Sequence, residues 1–183
     1  FYMTKILNIA VDAMGGEGSP KKTIDGIIHH SKSTKNINYN IFGNEKEISE
    51  LIKDLKGNSF NIFDTKEKIL DTDSPLSAAR KGKDSSMWKA IESVKSKESD
   101  IIISAGNTGA LFVIAKMNLE MIENIDKPAL SALWPNKFGM NVVLDLGANI
   151  ECSEKNLTDF AIMGSSLFKS LFPNEQPKVA LLN

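Results

Sequence analysis

Ile6-Leu7-Asn8-Ile9-Ala10-Val11-Asp12-Ala13-Met14-Gly15-Gly16-Glu17-Gly18-Ser19-Pro20 is the stretch on which the fold turns. Ile6 to Val11 is a near-continuous apolar run, as expected of a strand buried on both faces of a parallel sheet. The run ends at Asp12 and enters a glycine-rich turn, Gly15 to Gly18. Ser19 reads as the N-cap of a helix and Pro20 as its first residue. Ile24, Ile27 and Ile28 then mark one helix face. Strand, tight turn and helix follow each other without a spacer.

Downstream the same alternation continues. Tyr39 to Phe42 reads as a strand, Gly43 as a turn and Asn44 as a cap, with Ile48, Leu51, Ile52 and Leu55 on one helical face. Ser59 to Phe63 is a third strand, and the charged stretch from Asp64 to Asp84 is expected to be irregular and exposed. Met87, Ala90, Ile91 and Val94 restore the helical period. Ile101 to Ile103 is a strand, followed from about Asn107 by a helix carrying Leu111, Ile114, Ala115, Leu119 and Ile122. Further strands are expected at Pro128 to Leu133, Asn141 to Leu144 and Lys178 to Leu182. Between the last two, Leu157, Phe160, Ala161, Gly164, Phe168 and Leu171 draw another helix face. Such alternation predicts a doubly wound α/β sheet over residues 1–183 as a single domain. A final run as apolar as Val179 to Leu182 would normally feed another loop and helix, so the sequence is expected to be the N-terminal portion of a longer chain.

Composition narrows the function classes. The chain has 183 residues, 42% hydrophobic and 25% charged, the balance of a globular protein. Its 22 basic and 23 acidic residues give a net charge of −1, which argues against bulk attraction to nucleic acid or an anionic membrane. The one cysteine, Cys152, forms no internal disulfide and fits a reducing cytoplasm. His29 and His30 are the only histidines, a poor supply for metal sites, and no metal or cofactor is expected. No apolar run approaches the ~20 residues of a membrane span. The first residues lack a signal-peptide layout, and Met3 is the expected start.

In open α/β sheets ligands bind at the carboxyl ends of strands, and three strands here end in polar, glycine-rich segments. They are Asp12 to Gly16, Ser104-Ala105-Gly106-Asn107-Thr108-Gly109, and Asp145-Leu146-Gly147-Ala148-Asn149. As parallel neighbours they would open onto one sheet edge. In the middle segment, Gly106 and Gly109 would let backbone approach a ligand. The helix beginning near Asn107 offers unpaired N–H groups and a positive dipole end, suited to phosphate or an oxyanion. Plain capping by Asn107 with glycines serving a tight turn is the alternative, and spacing does not separate the two. Arg80, Lys81 and Lys83 form the sharpest basic cluster, read as an anion clamp, a dock for an acidic partner or a solvated loop. It precedes a helix starting around Ser85 and Ser86. Asp12 and Asp145 are candidates to orient a nucleophile, act as a base, hold Mg²⁺ or cap a neighbouring loop. The absence of G-x-G-x-x-G and of G-x-x-x-x-G-K-[ST] disfavours a dinucleotide fold and a P-loop NTPase.

Six motifs in order, Asp12 to Pro20, Ser85-Ser86-Met87, Ser104 to Leu111, Lys127 to Leu130, Leu144 to Asn149 and Ala161 to Gly164, resemble the bacterial PlsX family. These are the acyl-acyl-carrier-protein:phosphate acyltransferases of phospholipid synthesis. The resemblance spans about Ile9 to Asn183, with Glu17 where the family usually has Asp and Lys127 where it often has Arg. It implies a Rossmann-like α/β/α sandwich, a homodimer, and transfer of a fatty acyl group from acyl carrier protein to inorganic phosphate. It also implies a cytoplasmic protein, peripheral at most to the membrane, that supplies acyl phosphate to a downstream membrane acyltransferase. On that reading Asn107, Lys83, Asp12 and Asp145 are the expected catalytic residues. Gly15, Gly16, Arg80, Ser85, Ser86, Ser104, Gly106, Thr108, Gly109 and Asn149 are expected to bind phosphate or substrate. A phosphate- or nucleotide-binding module without transfer, or a scaffold that docks acyl carrier protein, is the alternative.

Overall fold

A computed structural model of the chain describes residues 6–53 and 59–182. They fall into two compact units, Phe1–Leu119 and Glu120–Asn183. The first unit holds β1 (Leu7–Asp12), α1 (Lys21–Ser33), β2 (Ile37–Gly43), α2 (Glu45–Ile52), β3 (Ser59–Asp64), α3 (Pro75–Lys81), α4 (Ser86–Lys95), β4 (Ile101–Ser104) and α5 (Thr108–Asn118). Its four strands pair in parallel in the order β3-β2-β1-β4. With helices on both faces this is the α/β sandwich that the alternation predicts.

Side-chain alternation sorts the two faces. Ile9 and Val11 of β1, with Tyr39 and Ile41 of β2, pack against Ile24 and Ile27 of α1 and Ile48 of α2. On the opposite face Ala10 and Phe42 meet Ala90 of α4. Both alanines are fully buried, so the absence of bulk is what lets α4 lie close on β1. Burial also pushes the Tyr39 hydroxyl up from its ordinary pKa.

The α4 face carries a polar ladder that fixes register. Asn38 Nδ2 donates to Asn8 Oδ1 at 2.9 Å, and Asn61 Nδ2 donates to Asn40 Oδ1 at 2.9 Å. Asn40 Nδ2 in turn donates to Ser99 Oγ at 2.9 Å, and Ser99 Oγ lies 2.7 Å from Ser93 Oγ. A one-residue slip would strand these amides on the wrong face.

The second unit contains β5 (Ala132–Asn136), β6 (Gly139–Val143) and α6 (Glu154–Leu171). Here two expectations are corrected. The strands expected at Pro128 to Leu133 and Asn141 to Leu144 fall instead at Ala132–Asn136 and Gly139–Val143, which form an antiparallel hairpin. Only Lys137 and Phe138 join them, and a two-residue connection permits no parallel crossover. Asn136 Oδ1 accepts from Phe138 N–H at 2.6 Å to close the turn. Lys178 to Leu182 is not a strand: it pairs with no other described segment, and Leu181 and Leu182 are exposed.

Three local readings also change. Ser19 does not cap α1; its hydroxyl donates to the Gly15 carbonyl at 2.5 Å and lies 3.0 Å from Thr23 Oγ1. The helix starts at Lys21 with Pro20 at the cap. Asp64 to Asp84 is not merely irregular, because it contains α3 and buries Ile69, Ala78 and Ala79. Helix α5 ends at Asn118, leaving Ile122 outside it. Asn44 does cap α2, and Leu55 lies outside the described residues.

Asn40→Ala removes the acceptor of Asn61 and the donor to Ser99, so it should cost about 1–3 kcal/mol of unfolding free energy. Denaturant melts of variant and parent check this, and a loss under about 0.5 kcal/mol, the size of an ordinary surface substitution, would refute the role of the ladder.

Candidate functional site

The carboxyl ends of β1 and β4 meet at one buried carboxylate. Asp12 is 1% exposed and stands opposite Ser104 in the register. Its Oδ2 accepts from Ser104 Oγ at 2.7 Å, and its Oδ1 accepts from Ser86 Oγ at 2.5 Å and from Met14 N–H at 3.3 Å. No ion pair involves it among the described residues. Its charge sits instead at the amino end of α4, where the helix dipole favours an anion. The contacts make Asp12 a pin joining β1, β4 and α4.

Ser85 and Ser86 are both buried, at 0% and 1% exposure. Ser85 caps α4, accepting from Trp88 N–H at 3.2 Å and donating to the Gly82 carbonyl at 2.6 Å. Ser86 serves Asp12. Both hydroxyls are thus engaged within the protein.

The glycines of the two loops pack against protein. A Cβ on Gly15 would lie 2.5 Å from Asp12 Oδ2 and 2.9 Å from Gly106 N, and one on Gly106 would lie 2.9 Å from Met87 Cε. Gly16 has φ of +86°, and a Cβ there would fall 2.5 Å from the Ala105 carbonyl oxygen. The loop after β1 is therefore laid directly on the loop after β4. A Cβ on Gly109 would meet Pro75 Cγ at 2.6 Å, so the first turn of α5 is packed against the start of α3 in the same way.

Asn107 bonds at both ends of its side chain. Its Oδ1 accepts from Ala110 N–H at 3.0 Å and caps α5. Its Nδ2 donates to the carbonyls of Leu70, Asp71 and Asp73 at 3.4, 3.2 and 2.9 Å. The side chain is a cap and a latch, with both ends committed. Gly106 N–H is taken by Ser104 Oγ at 3.1 Å. The backbone N–H groups of Thr108 and Gly109, in the first turn of α5, have no acceptor within the helix.

Arg80 lies in the last turn of α3 and Lys83 in the loop before α4; both are exposed and neither bonds to the loops after β1 and β4. Asp145 and Asn149 belong to the second unit. Asp145 accepts from the N–H groups of Leu130, Ala148 and Asn149 at 3.1, 3.3 and 2.8 Å, and from Asn149 Nδ2 at 3.0 Å. Burial alone would raise its pKa, but these donors outweigh it and hold the carboxyl below its usual range. Asn149 Nδ2 also donates to the Pro128 carbonyl at 2.9 Å.

Sequence reasoning missed the segment from Leu70 to Pro75 as part of this site. Its signal was present: Ser74-Pro75 is a cap followed by proline, and Ser74 Oγ accepts from Ser77 N–H at 3.3 Å. A separate cavity of about 320 Å³ opens at the ends of β2 and β3, walled by Phe42, Phe63, Thr65, Lys66 and Lys89 among others. It includes none of the expected residues. Among the described residues no group of three or more His, Cys, Asp or Glu could hold a metal, and no helix is long and apolar enough to cross a membrane.

A family model described as fatty acid synthesis protein matches residues 7–183. A phosphate acyltransferase of Pelagibacter ubique is 67% identical over 181 residues, covering 99% of this chain and 54% of that protein. Phosphate acyltransferases of Maricaulis maris and Ehrlichia ruminantium are 41% and 43% identical, over 99% and 97% of this chain and 53% of each relative. The chain spans about half the length of these curated relatives.

Two outcomes follow from the contacts. Ser86→Ala, which removes a donor to a buried carboxylate, should cost about 1.5–3 kcal/mol; a denaturation midpoint equal to the parent's would contradict the pin. The lowered pKa of Asp145 contributes stability that is fully present above about pH 4 and is lost as pH falls through the depressed value. Asp145→Asn should therefore flatten the acid limb of the stability profile, and an unchanged limb would show that the four donors do not favour the charged form.

Proposed function

The chain belongs to the fatty acid synthesis protein family, and on that premise we propose that the whole protein transfers a fatty acyl group from acyl carrier protein to inorganic phosphate. The observation that carries this reading is the first turn of α5, where Asn107 caps Ala110 and leaves the N–H groups of Thr108 and Gly109 to a ligand. Relatives named phosphate acyltransferase support the choice of reaction.

Phosphate dianion is a competent nucleophile at neutral pH, and a thiol is a good leaving group. An oxygen of phosphate attacks the thioester carbonyl carbon, and a tetrahedral oxyanion forms. The C–S bond then breaks, the phosphate proton passes to the departing thiol, and acyl phosphate and free carrier remain. Such a reaction needs positioning and oxyanion stabilisation rather than a strong base. The Thr108 and Gly109 N–H groups, at the positive end of α5, are suited to that charge. Asp12, Ser86 and Ser104 hold the loops that present them. Asn107 acts in this scheme as a positioning residue, and its side chain is not the oxyanion donor.

The same premise supports a cytoplasmic homodimer with at most peripheral membrane contact, in which residues 1–183 form part of a single α/β domain. The acyl phosphate formed would be consumed by a membrane acyltransferase.

The test removes one N–H without disturbing the helix. Thr108 is the first residue of α5, a position where proline is well tolerated, and Asn107, with φ of −55° and ψ of 111°, lies outside the helical region that a following proline disfavours. Thr108→Pro should lower kcat for acyl phosphate formation by roughly 10²–10³-fold, whereas Thr108→Val, which keeps the N–H, should not. Turnover near the parent rate in the proline variant would overturn the assignment.

A further inference from the structure

Resting on the reading above, we propose that the outer face of α3 and the loop after it form a docking surface for the acidic carrier protein that delivers the acyl thioester. Three cations, Arg80, Lys81 and Lys83, lie within four residues and are all exposed. None of them forms an ion pair among the described residues. The chain as a whole carries a net charge of −1, so this cluster is a local feature and not a reflection of general basicity. In the sequence, exposed carboxylates stand before the cluster at Asp71 and after it at Asp84.

Two exposed apolar side chains belong to the same segment of chain. Leu76 is 63% exposed and Leu70 is 48% exposed. Leu76 stands one helical turn from Arg80 on the same face of α3. Cations beside exposed leucines fit a protein surface that offers carboxylates around an apolar contact. The same patch is too short for an interfacial membrane helix, which needs a long apolar face with a polybasic flank.

The placement gives the patch its use. Asn107 Nδ2 ties the carbonyls of Leu70, Asp71 and Asp73 to the cap of α5, and Pro75 fills the space beside Gly109. A carrier held on α3 is thereby held at a fixed offset from the N–H groups of Thr108 and Gly109. Docking and chemistry share one rigid piece.

Anisotropy of labelled acyl carrier protein, titrated with the whole protein at low and raised salt, tests the surface. The double variant Lys81→Glu/Leu76→Ser should raise Kd about tenfold, and binding to the parent should weaken with salt. In turnover the variant should raise KM for the carrier-borne donor while leaving kcat, and all kinetics with a small neutral acyl thioester, at parent values. That second donor also reports that the variant is folded. An unchanged Kd, salt-insensitive binding, or equal losses with both donors would overturn the proposal. So would a matching loss of binding to anionic vesicles, since the patch would then serve a membrane. Failure of the parent to turn over either donor would count against the reaction, while the anisotropy would still decide the docking surface.

Discussion

A carboxylate buried without a cation is costly unless its lone pairs are filled, and Asp12 meets that condition with two serine hydroxyls and one backbone N–H. Its partners come from three different elements, β4, α4 and the loop after β1. Satisfying Asp12 therefore sets where α4 begins, how β4 registers on β1 and how the loop after β1 turns. Ala10 of β1 and Ala90 of α4 allow the close approach that Ser86 needs. Polar satisfaction and apolar packing fix the same arrangement, the consistency expected of a well-specified fold.

Much of the first unit was legible because its signals are local. Largely apolar runs mark β1, β2 and β4, and the caps at Asn44, Ser85 and Asn107 stand next to periodic apolar faces. The failures have physical causes. Ser19 and Ser74 both precede proline, yet only Ser74 caps, because the Ser19 hydroxyl is drawn to the Gly15 carbonyl of the preceding loop. The β5–β6 hairpin hid behind apolar runs that do not state direction; the short Lys137-Phe138 connection was the available cue. An apolar segment such as Val179 to Leu182 becomes a strand only beside a strand with open hydrogen bonds.

The candidate site shows a different limit of sequence reading. Residue types that suit a ligand were found, but many of them face the protein. Ser85, Ser86 and the Asn107 amide satisfy internal partners, and Gly15, Gly16, Gly106 and Gly109 make room for neighbouring chain. Spacing along the chain says which groups are near a strand end, not which way they turn. Backbone N–H groups such as those of Thr108 and Gly109, which a helix start leaves without an internal acceptor, have no letter in the sequence.

Gly15 and Gly106 also bear on how this chain can change over generations. Their alpha carbons face each other across two loops far apart in sequence, and a Cβ on Gly106 would lie 3.2 Å from Gly15 Cα. Most packed pairs can drift, because a larger residue on one side is accommodated by a smaller one on the other. Here both partners are already the smallest residue available, so neither can shrink to admit a change in the other. The pair has no compensatory path, and variation around it must be absorbed by moving whole loops or not at all.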